Sequence, residues 1–240
     1  MYQPRTYRHQ IKDKDLVSFN IAVKETDLYI RAQHNLKDEA LKSIIKHRTL
    51  LEEYIANHSL FLSSLEPCSV AEDAPAIAKD MAQAAQIVSV GPMAAVAGAI
   101  AEAVGKDLLI NSPQVIIENG GDIFMKISKA RLIGIYAGKS PLTGKIALEI
   151  NPEEPPLGIC TSSGTVGHSL SFGTADAVIV LSHSTALADA AATAIGNNIR
   201  TTEDINTAIE FAQTINGLSG VLIIKEDRIG LWGRTKIVSL

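Results

Sequence analysis

The sequence is poor in cysteine and aromatic side chains and has no excess of basic residues, and the cysteine count and the charge each exclude a class of protein. Two cysteines, Cys68 and Cys160, among 240 residues are too few for a disulfide framework. Aromatic residues make up 5% of the chain, and 26 acidic residues outnumber 22 basic ones, which gives a formal net charge of −4. Because nucleic-acid binding normally requires an excess of positive charge, we expect no nucleic-acid partner.

Long apolar segments are also missing from the sequence. The longest one, residues 90–104, is rich in alanine and glycine and is interrupted by Glu102. A membrane-spanning helix needs about 20 apolar residues, so we expect no membrane partner. Residues 1–15 are polar and charged and lack the apolar region of a secretion signal. We therefore expect a cytoplasmic protein in which the two thiols are not bonded to each other.

The pattern of apolar residues predicts strands near both ends of the chain and helices between them. Alternation of apolar and polar residues indicates strands, and apolar residues three or four apart indicate helices. The predicted strands are at residues 17–23, 28–30, 114–118, 122–127, 131–137, 145–150, 157–160, 175–181, 221–224 and 229–232, and the predicted helices are at 36–62, 74–87, 92–105, 185–197 and 205–215. This order predicts an α+β fold with mostly antiparallel pairing.

A glycine-rich turn is predicted between two of these strands. Asn119-Gly120-Gly121 is typical of a β-hairpin, because a primed turn needs positive φ at both central residues. Adjacent glycines also let backbone N–H groups approach a ligand without hindrance. The segment is therefore either a plain hairpin connection or a ligand-binding turn, in which Asp122 helps to hold a polar ligand or an ion.

The segment at residues 158–169 concentrates glycine, hydroxyl, thiol and imidazole groups. Hydroxyls and accessible amides suit a phosphate or another polar oxygen ligand. Cys160 ends an apolar strand, and it is interpreted either as a small buried hydrophobe or as a reactive thiol. His168 is interpreted either as a hydrogen-bonded scaffold residue or as a base. The candidate ligand-binding residues of this segment are Thr161, Ser162, Ser163 and Gly164.

An alanine-rich helix is predicted to follow, with Ser184 or Thr185 as its N-cap. Asp189 and Thr193 are four residues apart, so their oxygen atoms project from one helix face. A carboxylate in an apolar helix is unfavourable unless it is paired or bound to a cation. A carboxylate, a hydroxyl and backbone carbonyls suit a hard ion such as Mg²⁺. The alternative is that Asp189 only interacts with the helix dipole.

Taken in order, these three segments resemble the ApbE superfamily, whose best-known members are FAD:protein FMN transferases. The glycine-rich turn, TSG and ADAxxT motifs of that family match residues 119–122, 161–164 and 188–193. The chain is most similar to a short branch of the superfamily, through its GPMAAVAGAIAE helix, its GICTSSGTVGHS loop and the pair Thr26-Asp27.

The resemblance implies a single ApbE-like α+β domain over residues 1–240, related to T-folds. Antiparallel sheets and packed helices would form two similar halves, about 1–110 and 111–240, around a flavin site. The resemblance also implies that Asp189 and Thr193 match the Mg²⁺ ligands of the family. One departure is the HxIDPxTG stretch of the best-known transferases, because a shorter segment replaces it here and only His168 stands in for the family's histidine.

Three hypotheses of function follow. The first is an Mg²⁺-dependent enzyme that acts on FAD or another small nucleotide, either by FMN transfer to a protein acceptor or by hydrolysis, with His168 or Asp122 as the base. The second is a persulfide-handling protein of sulfur assimilation and homocysteine formation that uses Cys160, and the third is a flavin binder without chemistry. We also predict that the three segments converge in one cleft, and the oligomeric state stays open.

Overall fold

The computed structural model describes residues 15–152, 155–166 and 171–240, which contain eleven strands and six α-helices. The strands are β1 (Val17–Val23), β2 (Thr26–Ala32), β3 (Val115–Asn119), β4 (Asp122–Lys126), β5 (Arg131–Gly134), β6 (Ile146–Ile150), β7 (Leu157–Ser162), β8 (Ala177–Ser182), β9 (Leu218–Lys225), β10 (Arg228–Gly233) and β11 (Ile237–Ser239). The helices are α1 (Lys37–Asn57), α2 (Ser59–Ser63), α3 (Ala76–Val88), α4 (Val96–Leu108), α5 (Thr185–Asn197) and α6 (Asp204–Thr214).

Eight of these strands form one sheet in the order β1-β2-β3-β4-β7-β8-β9-β10, and every neighbouring pair in it is antiparallel. The sheet is built from two groups of four strands, which meet where β4 pairs with β7. In each group two strands precede a set of helices and two strands follow it. The predicted α+β class with antiparallel sheets is confirmed.

The helices lie on one face of this sheet and form an alanine-rich core with it. Helix α4 packs on β3 and β4, and α5 packs on β7 and β8. Gly105 was predicted to end the third helix, but α4 continues to Leu108. A Cβ atom at this position would lie 2.1 Å from the ring of Phe124, so the glycine allows close packing of α4 on β4.

A second sheet of three strands, in the order β11-β6-β5, covers the opposite face. The core between the two sheets is made largely of isoleucine, leucine and methionine side chains, with Leu148, Ile159 and Leu181 fully buried. Strand β11 was not predicted. It completes the small sheet by pairing with β6, where Ile237 lies opposite Leu148.

The helix predicted for residues 36–62 is divided at His58, where α1 ends and the short helix α2 begins. In the part of the chain that the structure describes, no single helix is long and apolar enough to cross a membrane. Helix α3 and the segment Pro92–Leu108 satisfy the same length and composition test only as a pair bent by 107°.

Candidate functional site

Three segments that are distant in the sequence meet beside the first turn of α4. The side-chain amide of Asn119 donates a hydrogen bond to the Ala97 carbonyl (3.0 Å), and the Gly98 N–H donates to Oδ2 of Asp189 (2.8 Å). The Thr161 N–H donates to Oδ1 of Asp122 (3.2 Å). The β3–β4 turn, the end of β7 and α5 therefore converge, as the sequence predicts.

The β3–β4 connection is a hairpin turn, as predicted, but β3 extends one residue further than predicted, to Asn119, so Gly120 and Gly121 are the two central residues. Gly120 and Gly121 have φ values of 69° and 112°, which residues with a side chain rarely adopt. Asn119 pairs with Asp122 across the hairpin. The N–H of Gly121 donates to Oε1 of Glu118 (2.8 Å), a buried carboxylate. Glu118 therefore stabilises the turn. Because the Gly121 amide already donates to this carboxylate, it is not available to a ligand.

Cys160 lies at the centre of this region and has no exposed surface. Its Sγ atom donates to the carbonyl of Thr185 (3.3 Å). Burial raises the pKa of the thiol, and the carboxylates of Asp122 and Asp189 raise the pKa further. A thiol held in the protonated form without access to solvent does not suit a nucleophile or a persulfide carrier.

The described start of the loop after β7, residues 163–166, is held by hydrogen bonds within itself and by hydrogen bonds to the segment before β8, where the Gly164 N–H donates to the Ala175 carbonyl (2.9 Å). Ser163 Oγ accepts from the N–H groups of Thr165 (3.1 Å) and Val166 (3.0 Å). Ser162 is buried, whereas Thr161, Ser163 and Gly164 keep exposed surface that a ligand can reach. His168, the candidate base, lies outside the described residues.

Helix α5 presents the candidate ion ligands. Ser184 is its N-cap and accepts from the Leu187 N–H (3.2 Å), which confirms one of the two predicted caps. Burial raises the pKa of the Asp189 carboxyl well above its usual range, and the nearby carboxylate of Asp122 raises this pKa further. The backbone amides of Gly98 and Ala97 oppose that shift. Asp189, a residue of α5, thus caps the N-terminus of the neighbouring helix α4.

Glu102 is a functional candidate that lies outside the three sequence motifs. It is buried on α4, and its Oε2 atom accepts from the N–H groups of Thr185 (2.7 Å) and Ala186 (3.3 Å) at the start of α5. Its position inside an alanine-rich helix could have indicated a role, because a buried carboxylate needs hydrogen-bond or ion-pair partners.

The oxygen atoms around Asp189 suit a divalent cation. Thr193 follows one turn later on α5 and is partly exposed, and the Asp122 carboxylate lies nearby. Across the described ranges, no group of three or more His, Cys, Asp or Glu side chains is arranged to hold a metal. Mg²⁺ is usually bound through one or two carboxylates, with water and substrate phosphates as the other ligands, so this oxygen set fits Mg²⁺ and not Zn²⁺.

Comparison with known proteins identifies a family to which the chain is similar over most of its length. A family model described as AbpE bacteria matches residues 8–229. A UPF0280 protein of Methanocaldococcus jannaschii is 44% identical over 220 residues, 89% of either chain. A UPF0280 protein of Methanopyrus kandleri is 41% identical over 234 residues, 94% of either chain.

Solved structures with a similar fold share little sequence with this chain. The ApbE protein of Thermotoga maritima has a TM-score of 0.61 at 12% identity, over 90% of this chain and 96% of that one. The flavinyl transferase ApbE of Pseudomonas stutzeri has a TM-score of 0.57 at 9% identity, over 93% and 94% of the two chains. These similarities establish the ApbE-like fold.

Proposed function

Because this chain belongs to the family described as AbpE bacteria, we propose that it is an Mg²⁺-dependent enzyme that cleaves FAD and transfers FMN to a hydroxyl acceptor. The acceptor is a protein side chain or water. The flavinyl transferase of Pseudomonas stutzeri shares the fold, which supports a flavin nucleotide as the substrate class.

The observation that carries this proposal is the pair of neighbouring acidic side chains, Asp122 and Asp189, of which Asp189 contacts the N-terminus of α4. Asp122 is buried, and the pKa of Asp189 is raised by burial and by the charge of Asp122. Two carboxylates that repel each other in a region of low dielectric are stabilised when a cation lies between or beside them. Asp189 and Thr193 are the proposed protein ligands of Mg²⁺.

The remaining residues of the site suit a pyrophosphate. Gly120 is exposed and presents its backbone amide, and Thr161 and Ser163 keep partly exposed hydroxyls; Thr161 contacts Asp122 directly. Mg²⁺ bound there would neutralise charge on the phosphates. In the proposed reaction the acceptor oxygen forms a bond to the phosphorus of the FMN part and the bond to the AMP oxygen breaks. The acceptor proton passes to a base, for which His168 and Asp122 are the candidates.

Release of AMP from FAD tests the proposal. Purified protein would be incubated with FAD, with and without Mg²⁺, while chromatography follows AMP, FMN and protein-bound flavin. We expect AMP release to depend on Mg²⁺ and to fall about 100-fold or more in Asp189→Asn. The variant weakens binding of the cation, which would stabilise the charge of the transition state by several kcal/mol. Asp227→Asn is the matched control, since Asp227 is 73% exposed in the β9–β10 turn, and it should retain wild-type activity.

Two results would contradict the proposal. Equal AMP release by the wild type and Asp189→Asn would exclude the assigned cation ligand. Binding of FAD without any AMP release would favour a flavin binder without chemistry. The burial of Cys160 gives no support to a persulfide carrier. Under the proposed function Cys160→Ser should keep most of the activity, because the serine hydroxyl fits the space of the thiol and can donate to the same Thr185 carbonyl.

A further inference from the structure

Glu102 occupies a position that the proposed chemistry does not explain. One of its carboxylate oxygens accepts the first two N–H groups of α5, from Thr185 and Ala186, and the other lies 2.7 Å from Nζ of Lys106. The carboxylate is charge-complementary to the N-terminus of α5, where unpaired amides and the helix dipole favour an anion. A side chain of α4 therefore caps α5.

The capping is reciprocal. Asp189 lies four residues after Thr185 on α5, and its carboxylate accepts the N–H of Gly98, which lies four residues before Glu102 on α4. Each helix thus presents a carboxylate to the first turn of the other, one helical turn from its own contacted amide. The position of Asp189 relative to Gly98 is consequently coupled to the position of Thr185 relative to Glu102.

The two helices are too close together to adjust independently. A Cβ atom at Gly98 would lie 2.5 Å from the Thr185 carbonyl oxygen and 2.8 Å from the Asp189 Cβ. On its other side Thr185 is held by β7, where Cys160 Sγ donates to its carbonyl and a Cβ at Gly158 would lie 2.6 Å from its Cα. A change at the start of α5 is therefore transmitted along a rigid helix to Asp189.

We propose that Glu102 is a positioning residue, which sets the Asp189 carboxylate for its cation by fixing the start of α5 against α4. This inference rests on the proposed function, since it concerns the same cation site. The affinity for the cation then depends on the Glu102 carboxylate, although this carboxylate binds two backbone amides and Lys106 and is not itself a cation ligand.

Cation affinity in a set of variants tests the inference. Mn²⁺ binding, followed by electron paramagnetic resonance, and competition by Mg²⁺ give dissociation constants for the wild type, Glu102→Gln and Glu102→Leu. Loss of a supporting hydrogen-bond partner around a metal ligand typically weakens affinity 10-fold or more, so we expect a rise of about 10-fold in Glu102→Leu. Glu102→Gln keeps an acceptor for the amides and should show a smaller rise.

Two controls separate positioning from general destabilisation. Lys106→Met removes the exposed ion-pair partner but not the bonds to α5, and it should leave the affinity unchanged. Leu148→Ala lowers stability in the core on the opposite face of the sheet and should also leave it unchanged. If Leu148→Ala weakens Mn²⁺ binding as much as Glu102→Leu does, the effect is general and the inference fails.

A second measurement does not depend on the cation. The amide signal of Gly98 in a metal-free ¹⁵N spectrum reports its hydrogen bond to Asp189, and we expect it to shift and to exchange faster in both Glu102 variants. An unchanged Gly98 signal together with unchanged affinity would overturn the inference. If the wild type binds no divalent cation, the proposed function fails, and the Gly98 signal alone then decides whether Glu102 positions Asp189.

Discussion

The two faces of the eight-stranded sheet differ in the size and chemistry of the residues that cover them. On the helix face, small residues such as Gly98 and Ala97 bring backbones close together, and the carboxylates of Glu102, Asp122 and Asp189 lie among them. On the other face, large aliphatic side chains such as Leu148 and Leu181 fill the space between two sheets. The candidate functional site therefore lies on the helix face, and the face covered by the small sheet contributes mainly to stability.

The largest expected effect comes from the small-sheet face. Leu148→Ala removes a fully buried side chain and should lower the free energy of unfolding by about 3 kcal/mol, as core Leu→Ala changes do. Because this residue lies on the face away from α4 and α5, affinity for FAD and Mg²⁺ should not change. Urea unfolding and a binding titration check the two parts, and weakened binding at the same temperature would show that the faces are not separable.

Two glycines of α4 lie in different surroundings on the helix face, one beside the candidate site and one away from it. Gly98→Ala and Gly105→Ala should each cost about 2 kcal/mol of stability, because each new Cβ overlaps a neighbour. At Gly98 the neighbours are Thr185 and Asp189, whereas at Gly105 the neighbour is the ring of Phe124. Only Gly98→Ala should therefore weaken cation binding, measured by calorimetry. Equal weakening in both variants would mean that the close approach at Gly98 has no special relation to the site.

A smaller effect concerns the pH dependence of stability. Because the pKa of Asp189 is raised in the folded protein, the folded state retains a proton that the unfolded chain loses above about pH 4. This group therefore lowers stability progressively as the pH rises from about 4 towards its folded pKa. In metal-free buffer, Asp189→Asn should gain stability relative to the wild type between pH 4 and pH 8. A constant difference across that range would contradict the electrostatic description of the site.

The smallest expected effect is a difference in labelling between the two cysteines, which are both free. Cys68 is partly exposed, whereas Cys160 is fully buried on the helix face and its pKa is raised. Iodoacetamide at neutral pH should modify Cys68 in the native protein and Cys160 only after denaturation, as mass spectrometry would show. Rapid native labelling of Cys160 would restore the hypothesis of a reactive thiol.

Much of the fold follows from local patterns in the sequence. Alternating apolar residues located β1, a short apolar run located β3, two glycines located the β3–β4 turn, and small apolar residues after Ser184 located α5. These features depend on residues that are neighbours in the chain. The split of α1 from α2 at His58 and the continuation of α4 beyond Gly105 were not predicted, because tertiary packing decides them.

The parts of the site that were missed depend on contacts between distant residues. Glu102 contacts Thr185 across 83 positions, and Asp189 contacts Gly98 across 91. Nothing in the local sequence of either helix specifies which amide a buried carboxylate will find. Strand β11 was missed for a related reason, since its three residues are a strand only because β6 offers an edge to pair with.

If Asp189 binds a cation that in turn holds a flavin nucleotide, the affinities for Mg²⁺ and FAD must depend on each other, and a titration measures this dependence. FAD would be titrated into the wild type and into Asp189→Asn, each with Mg²⁺ and with a chelator. We predict that Mg²⁺ tightens FAD binding by the wild type about 10-fold or more, within the usual range of coupling between two ligands, and that Asp189→Asn loses this increase. Identical FAD affinities in all four titrations would contradict the account.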